Sequence, residues 1–256
     1  MIAAKIKRLV KNVAPKRALR GFHRIQRALQ QAHNAKLTPE QVFSEIYRQG
    51  KWGGKGTTQF HSGAGSATQS IVEPYVAAIT GFLASLPEGS RRVVDLGCGD
   101  FGVGKRLLPV CSSYVGVDVV PDLIRHHQAT FIDAKVEFRC SDVIDGELPA
   151  GDVCLIRQVF QHLSNAQIAK VLAKLPRYRT VFITEHYPAD DVAVVPNKDK
   201  VHGGDIRLYD DSAVYVDRPP FNFSPSRKEL FLEVPDHGFN DLFKSGVIRT
   251  FKFDFG

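Results

Sequence analysis

The chain has 256 residues, 43% of them hydrophobic, which is enough for one sizeable core. No apolar run approaches the roughly 20 residues of a membrane span, and no continuous apolar stretch near the start reads as a secretory signal. The formal charge is +7, but residues 1–39 hold ten Lys and Arg and no Asp or Glu, leaving 24 basic against 27 acidic residues elsewhere. The high pI therefore belongs to a tail and the body is mildly acidic, a balance that argues against an active face built for nucleic acid.

In chain order, residues 1–13 place Ile2, Ile6, Leu9, Val10 and Val13 at helical spacing among Lys and Arg. After Pro15, a second stretch puts Ala18, Phe22, Ile25 and Leu29 on one face. Thr38-Pro39-Glu40 is a helix start, with Thr as N-cap and Pro at the first helical position, and predicts a short helix over 40–49. Residues 50–66 are rich in Gly and Ser and read as a loop; 68–86 read as a helix. Alternation follows: strands at 92–96, 114–119, 136–140, 152–157 and 181–184, with helices expected at 104–110, 122–131 and 165–175. Strands separated by helices predict a parallel sheet with right-handed crossovers. A polar segment rich in Pro, Gly and Asp then reaches residue 226, and strands near 229–234 and 247–254 fit a closing antiparallel pair.

Cys98, Cys111, Cys140 and Cys154 form no CxxC pair and sit in or beside apolar runs. They read as reduced thiols, with a cytoplasmic setting and no zinc site expected.

Chemistry concentrates at the strand ends. Val93-Val94-Asp95-Leu96-Gly97-Cys98-Gly99-Asp100-Phe101-Gly102 is an apolar strand ending in an acid and a glycine turn. Such a turn lets the backbone approach a ligand where open parallel sheets bind them. Its spacing is neither GxGxxG nor a phosphate loop. Val115-Gly116-Val117-Asp118 ends the next strand, where an acid accepts from a ribose diol or, alternatively, caps a helix. Cys140-Ser141-Asp142-Val143 follows a third strand, placing an acid where an adenine amino group would donate. Three acids at three consecutive strand ends describe an adenosine-shaped site.

In these motifs the chain resembles the class I S-adenosylmethionine-dependent methyltransferases, over roughly residues 90–187. The resemblance implies a Rossmann-like α/β fold: a seven-stranded, mostly parallel sheet with helices on both faces. It implies S-adenosylmethionine as cofactor, with Asp95, Gly97, Cys98 and Gly99 around its methionine part, Asp118 and Val119 at the ribose, and Asp142 and Val143 at the adenine. Gln158, after the fourth strand, joins this set. One departure is Phe101, which stands where the family often has a third glycine. Upstream, Ile46-Tyr47, Trp52-Gly53 and Ser62-Gly63-Ala64-Gly65-Ser66 resemble the N-terminal element of bacterial methyltransferases acting on small molecules or glycans. There it covers the cofactor, which assigns Trp52, Gly63 and Ser66 to the cofactor; the alternative for Trp52 is a hydrophobic plug.

The expected organisation is a basic helical extension at 1–39 and a methyltransferase domain at 40–256. Within the latter are a cofactor cover at 40–86, a core at 90–187, a polar acceptor lid inserted at about 188–226 and a terminal strand pair at 227–256. The fourth-strand region, Leu155-Ile156-Arg157-Gln158-Val159-Phe160-Gln161-His162, lacks the Asn/Asp-Pro-Pro-aromatic run of nucleic-acid amino-methylating enzymes and any Pro-Cys pair. His162 is a candidate general base for an alcohol, or a helix-start histidine bonded to backbone. Glu185 and His186, at the end of the fifth strand, are candidate catalytic residues at the acceptor cleft. The lid's Asp, His, Asn and Arg show no metal-ligand spacing, so no metal is assigned.

These observations point to O-methylation of a sugar or another small hydroxylated acceptor, with glycan modification the expected setting. The rival readings are an RNA methyltransferase using the basic tail, with nucleic acid the less favoured partner, and a non-catalytic cofactor-binding protein. Residues 1–29 hold nine basic residues on an amphipathic pattern, which also suits an anionic membrane surface and a peripheral place at the inner membrane.

Overall fold

A computed structural model describes residues 16–53, 60–189, 194–236 and 246–255, with side chains from residue 23 onward. The helix expected within 1–13 lies outside the described residues, as do the side chains of Ala18 and Phe22.

Seven strands form one sheet: β1 (Arg92–Leu96), β2 (Ser113–Asp118), β3 (Val136–Cys140), β4 (Val153–Arg157), β5 (Thr180–Pro188), β6 (Arg227–Asp236) and β7 (Gly246–Asp254). The spatial order is β3-β2-β1-β4-β5-β7-β6. Pairings from β3 across to β5 are parallel, while β7 runs antiparallel to both β5 and β6. The order reverses at β1, where one crossover leads outward to β2 and the next returns past β1 to β4. Loops at the carboxyl ends of β1 and β4 therefore diverge, and a crevice opens between them. β5 is buried along its whole length, as a central strand covered on both faces must be.

The helices are α1 (Lys16–Asn34), α2 (Pro39–Arg48), the single turn α3 (Ala64–Ala67), α4 (Gln69–Ser85), α5 (Pro121–Thr130) and α6 (Asn165–Leu172). On one face, Val42, Phe43 and Ile46 of α2, Leu123 of α5 and Ile168, Val171 and Leu172 of α6 pack on Val94, Leu96, Ile156 and Ile183. On the other, Val72, Val76, Ile79 and Leu83 of α4 pack on Val93, Leu155 and Phe182. α2 starts where the sequence places it. The Thr38 hydroxyl accepts from the Gln41 N–H at 3.2 Å, and the Thr38 N–H donates to Gln41 Oε1 at 3.0 Å. Ser164 and Gln167 repeat this capping box on α6.

One expected helix is corrected. Residues 104–110 form two separate 3₁₀ turns, Gly104–Arg106 and Leu108–Val110. Pro109 has no N–H to donate to a helical ladder, so the segment cannot run as one α-helix.

Candidate functional site

The crevice is walled by the carboxyl ends of β1, β2 and β4, the segment after β3, and the cover formed by α2 with Trp52, Ser62 and Ser66. Gly97 and Gly99 make the turn after β1 with φ of 79° and 54°. A Cβ on Gly97 would lie 2.5 Å from Val159, so any side chain there would push the β4 loop away. Phe101, in the place of the third glycine, also adopts a left-handed φ of 59°. Its buried ring packs edge-on against Tyr114 and Phe138 at centroid distances of 5.4 and 4.9 Å. Packing thus offsets the strain that a glycine would avoid.

The three strand-end acids are brought together. Asp95 is buried and accepts from the Tyr114 hydroxyl at 2.5 Å; burial raises its pKa to about 6. Asp118 accepts from the Gly99 and Val120 N–H groups, each at 3.1 Å, and burial again raises its pKa to about 6. Its carboxylate ties the β2 end to the glycine turn and keeps open lone pairs toward the crevice. Asp142 accepts from the Ile144 N–H at 2.8 Å, an Asx turn that orients the carboxylate. Cys98, Val119, Val143 and Gln158 line the same wall.

The cover is bolted to the glycine turn by a reciprocal pair. The Asp100 N–H donates to Ser62 Oγ at 2.7 Å, and the Ser62 N–H donates to Asp100 Oδ2 at 2.8 Å. Ser62 Oγ also meets the Tyr47 hydroxyl at 2.9 Å. Trp52 lies on the crevice wall between Tyr47 and His162, at centroid distances of 5.3 and 5.1 Å, and its indole N–H reaches the Gly204 carbonyl. Ser66 lines the crevice, whereas Gly63 does not; its N–H turns to His61 Nδ1.

Arg157, at the end of β4, is the cation of this wall. Its guanidinium donates to the Gly65 carbonyl at 2.6 Å and to Ser66 Oγ at 3.2 Å, and lies over the Tyr75 ring. Its Nε finds no partner, and burial lowers its pKa against the opposing influence of Tyr75, Asp95, Asp100 and Glu185. Gln158 follows with a left-handed φ of 57° and an unpartnered Nε2. The sequence places Tyr47 and Ser62 in the covering element and Asp100 in the glycine turn without giving them individual roles, and Arg157 shows only as a charge closing the apolar run Val153–Ile156.

Of the three candidate catalytic residues, His162 lines the crevice. Its Nδ1 meets the Gly203 carbonyl at 3.1 Å, so Nδ1 carries the proton and Nε2 is the acceptor. Burial, then the nearby Lys200 charge, lowers its pKa to about 3. Glu185 and His186 are not among the residues that line the crevice. The fully buried Glu185 accepts the Phe160 and Gln161 N–H groups at 2.8 and 3.1 Å, pinning the turn after β4; burial raises its pKa to about 8. His186 faces Asp236 of β6 at 3.4 Å. Successive residues of a strand point to opposite faces, so Glu185 and His186 part company here.

None of the described residues of the polar segment after β5 lines the wall, but its Gly203 and Gly204 carbonyls bond His162 and Trp52, which do. Its other polar groups bond its own chain, the turn after β4 and α1. Asn197 Nδ2 donates to the Tyr215 and Pro219 carbonyls, both at 2.8 Å, and its Oδ1 accepts from the Tyr215 N–H at 2.7 Å. Arg207 donates to the Leu163 and Lys198 carbonyls, and Lys200 to those of Gln161 and Asp205. Among the described residues, no group of three or more His, Cys, Asp or Glu is placed to hold a metal.

Residues 93–179 match the model of a family described as a methyltransferase domain. The match to a methyltransferase domain is carried by this segment, and the rest of the chain lies outside it. An uncharacterized methyltransferase of Mycobacterium bovis is 30% identical over 88 residues, 34% of this chain and 45% of that relative. The match thus spans less than half the length of the relative. Among solved structures, a SAM-dependent methyltransferase from Leishmania major is 14% identical, with a TM-score of 0.49, covering 81% of this chain and 80% of that one. Human N-acetylserotonin methyltransferase in complex with SAM is 12% identical, with a TM-score of 0.49 over 86% of this chain and 61% of that one. No described helix is long and apolar enough to cross a membrane.

Proposed function

We propose that the chain transfers the methyl group of S-adenosylmethionine to an oxygen of a sugar or another small hydroxylated acceptor. What carries the cofactor half of this reading is the open bonding capacity of one wall. Asp118 and Asp142 keep free lone pairs where a ribose diol and an adenine amino group would donate, and Arg157 keeps an unpartnered buried Nε where a carboxylate would fit. The residues present suit a ligand that is a nucleoside at one end and an amino acid at the other.

When bound, the cofactor supplies a methyl group already activated by a positive sulfur. The protein's remaining tasks are alignment, exclusion of water and removal of one proton. The cover of Tyr47, Trp52 and Ser62 shields the crevice. His162 Nε2 is a neutral acceptor at pH 7, with the Gln161 amide nitrogen 3.5 Å from it, and the unpartnered Gln158 amide is a donor on the same wall. A hydroxyl meets both demands, since it donates and accepts. With a pKa near 3 the imidazole orients the hydroxyl and takes its proton only as the bond to carbon forms.

The test is a methyl-transfer screen of sugars, sugar-bearing lipids and amines, read by formation of the demethylated cofactor. On the acceptor found, His162→Asn is expected to lower turnover about a hundredfold with cofactor affinity unchanged. Turnover of amines alone would overturn the oxygen reading while leaving methyl transfer standing.

A further inference from the structure

The strap His202-Gly203-Gly204 does not line the crevice, yet it holds two side chains that do. His162 meets it twice: its carbonyl accepts the Gly203 N–H at 2.9 Å, and its Nδ1 meets the Gly203 carbonyl at 3.1 Å. Trp52 donates its indole N–H to the Gly204 carbonyl at 3.2 Å. The two rings are neighbours, with centroids 5.1 Å apart. Both glycine positions are tight. A Cβ on Gly203 would lie 2.5 Å from Asn34 Nδ2, and one on Gly204 would lie 3.3 Å from the indole nitrogen.

The strap is anchored from behind by α1. Asn34, the buried last residue of that helix, donates to the His202 carbonyl at 2.9 Å, and its Oδ1 accepts from Gln30 at 2.8 Å. The His202 ring adds contacts with the Leu37 carbonyl and the Gln167 amide, each at 3.1 Å. The His202 carbonyl and the Gly203 N–H belong to one peptide unit. A continuous chain of hydrogen bonds therefore runs from the Asn34 amide through that peptide to the His162 carbonyl, and such chains polarise and stiffen one another. A neutral imidazole has two tautomers, and the bond made by one nitrogen decides what the other can do. We propose that Asn34 is a positioning residue: through the strap it fixes the Nδ1-protonated tautomer of His162 and the setting of Trp52 toward the methyl acceptor. This rests on the acceptor role proposed for His162, but the strap can be observed without any methyl transfer.

Trp52 is the single tryptophan of the chain, so its fluorescence reports the strap directly. The His162 tautomer is read from imidazole nitrogen NMR of the full chain, the resonances being assigned by their loss in His162→Asn. Asn34→Asp keeps the acceptor for Gln30 and nearly the same shape but removes the donor to His202. It should weaken the preference for the Nδ1-protonated tautomer about threefold or more and shift Trp52 emission to longer wavelength, with cofactor affinity unchanged. On an acceptor once found, turnover should fall about fivefold or more with the KM for the cofactor unchanged. Gly203→Ala, whose Cβ pushes the strap off Asn34, should act in the same direction and serves if Asn34→Asp does not fold. Wild-type tautomer and emission in the folded variants would overturn the proposal, whatever the acceptor. A shifted tautomer in a chain that methylates nothing would uphold the strap and overturn the acceptor reading instead.

Discussion

Two parts of this molecule are rich in polar side chains, and they use them in opposite ways. In the segment after β5, Asn197, Lys200 and Arg207 bond backbone carbonyls of that segment and of the turn after β4. In the crevice, Arg157 Nε and Gln158 Nε2 are buried without partners, and Asp118 and Asp142 each retain lone pairs. Arg207 Nε of the first region also lacks a partner, so what marks the second region as a binding surface is that its open groups stand together on one crevice wall. Polar content alone does not separate the two.

Substitutions can break this comparison. The largest effect is expected at Asn197, whose amide makes three bonds of 2.7–2.8 Å from a left-handed backbone with φ of 55°. Asn197→Ala should cost about 3 kcal/mol of stability in denaturant titration, with cofactor affinity of the folded fraction unchanged. Arg157→Met should do the converse. Cofactor binding should weaken by about 30- to 100-fold, as when a charged hydrogen bond is lost, while stability holds or rises because a poorly compensated buried charge is gone. If both variants lost only stability, the crevice would be no different from the insertion.

Acidity sharpens the same contrast. Burial raises the folded pKa of Asp118 to about 6, above its ordinary value of 3.8. The ligand-free fold therefore favours the neutral acid: this contribution to stability is complete below about pH 4 and lost as pH rises through about 6. A ribose donating to Asp118 favours the charged form instead. Affinity should accordingly rise about tenfold from pH 5 to 7, with proton release in calorimetry, and Asp118→Asn should flatten that slope. The smallest effect is expected at His186, which faces Asp236 rather than the crevice. His186→Asn should change turnover less than about twofold, against the hundredfold loss at His162.

Much of the sheet was legible because the pattern that builds it is local. Apolar runs such as Val153–Ile156 and glycine turns such as Gly97–Gly99 mark strands and their ends without long-range knowledge. The three acids were legible for the same reason, since each closes a strand. The partners that complete the site were not. Ser62 and Asp100 meet across 38 residues of sequence, and Arg157 reaches Gly65 across 92. Nor does composition tell that Glu185 turns to the Phe160 and Gln161 N–H groups, or that residues 194–226 bond α1, the turn after β4 and their own backbone. The outward face of α1 was equally hidden: periodicity gathers Ile25 and Leu29 on one side of the helix, but only the bonds of Arg27 and Asn34 show that the other side is docked.

The central claim is that one wall of the crevice holds open bonding capacity for S-adenosylmethionine. Isothermal titration of the full chain with S-adenosylmethionine and with its demethylated product tests it most directly. One site with a dissociation constant in the micromolar range, about −8 kcal/mol, is the predicted result, weakened by Arg157→Met and untouched by His186→Asn. A folded chain that binds neither molecule would contradict it.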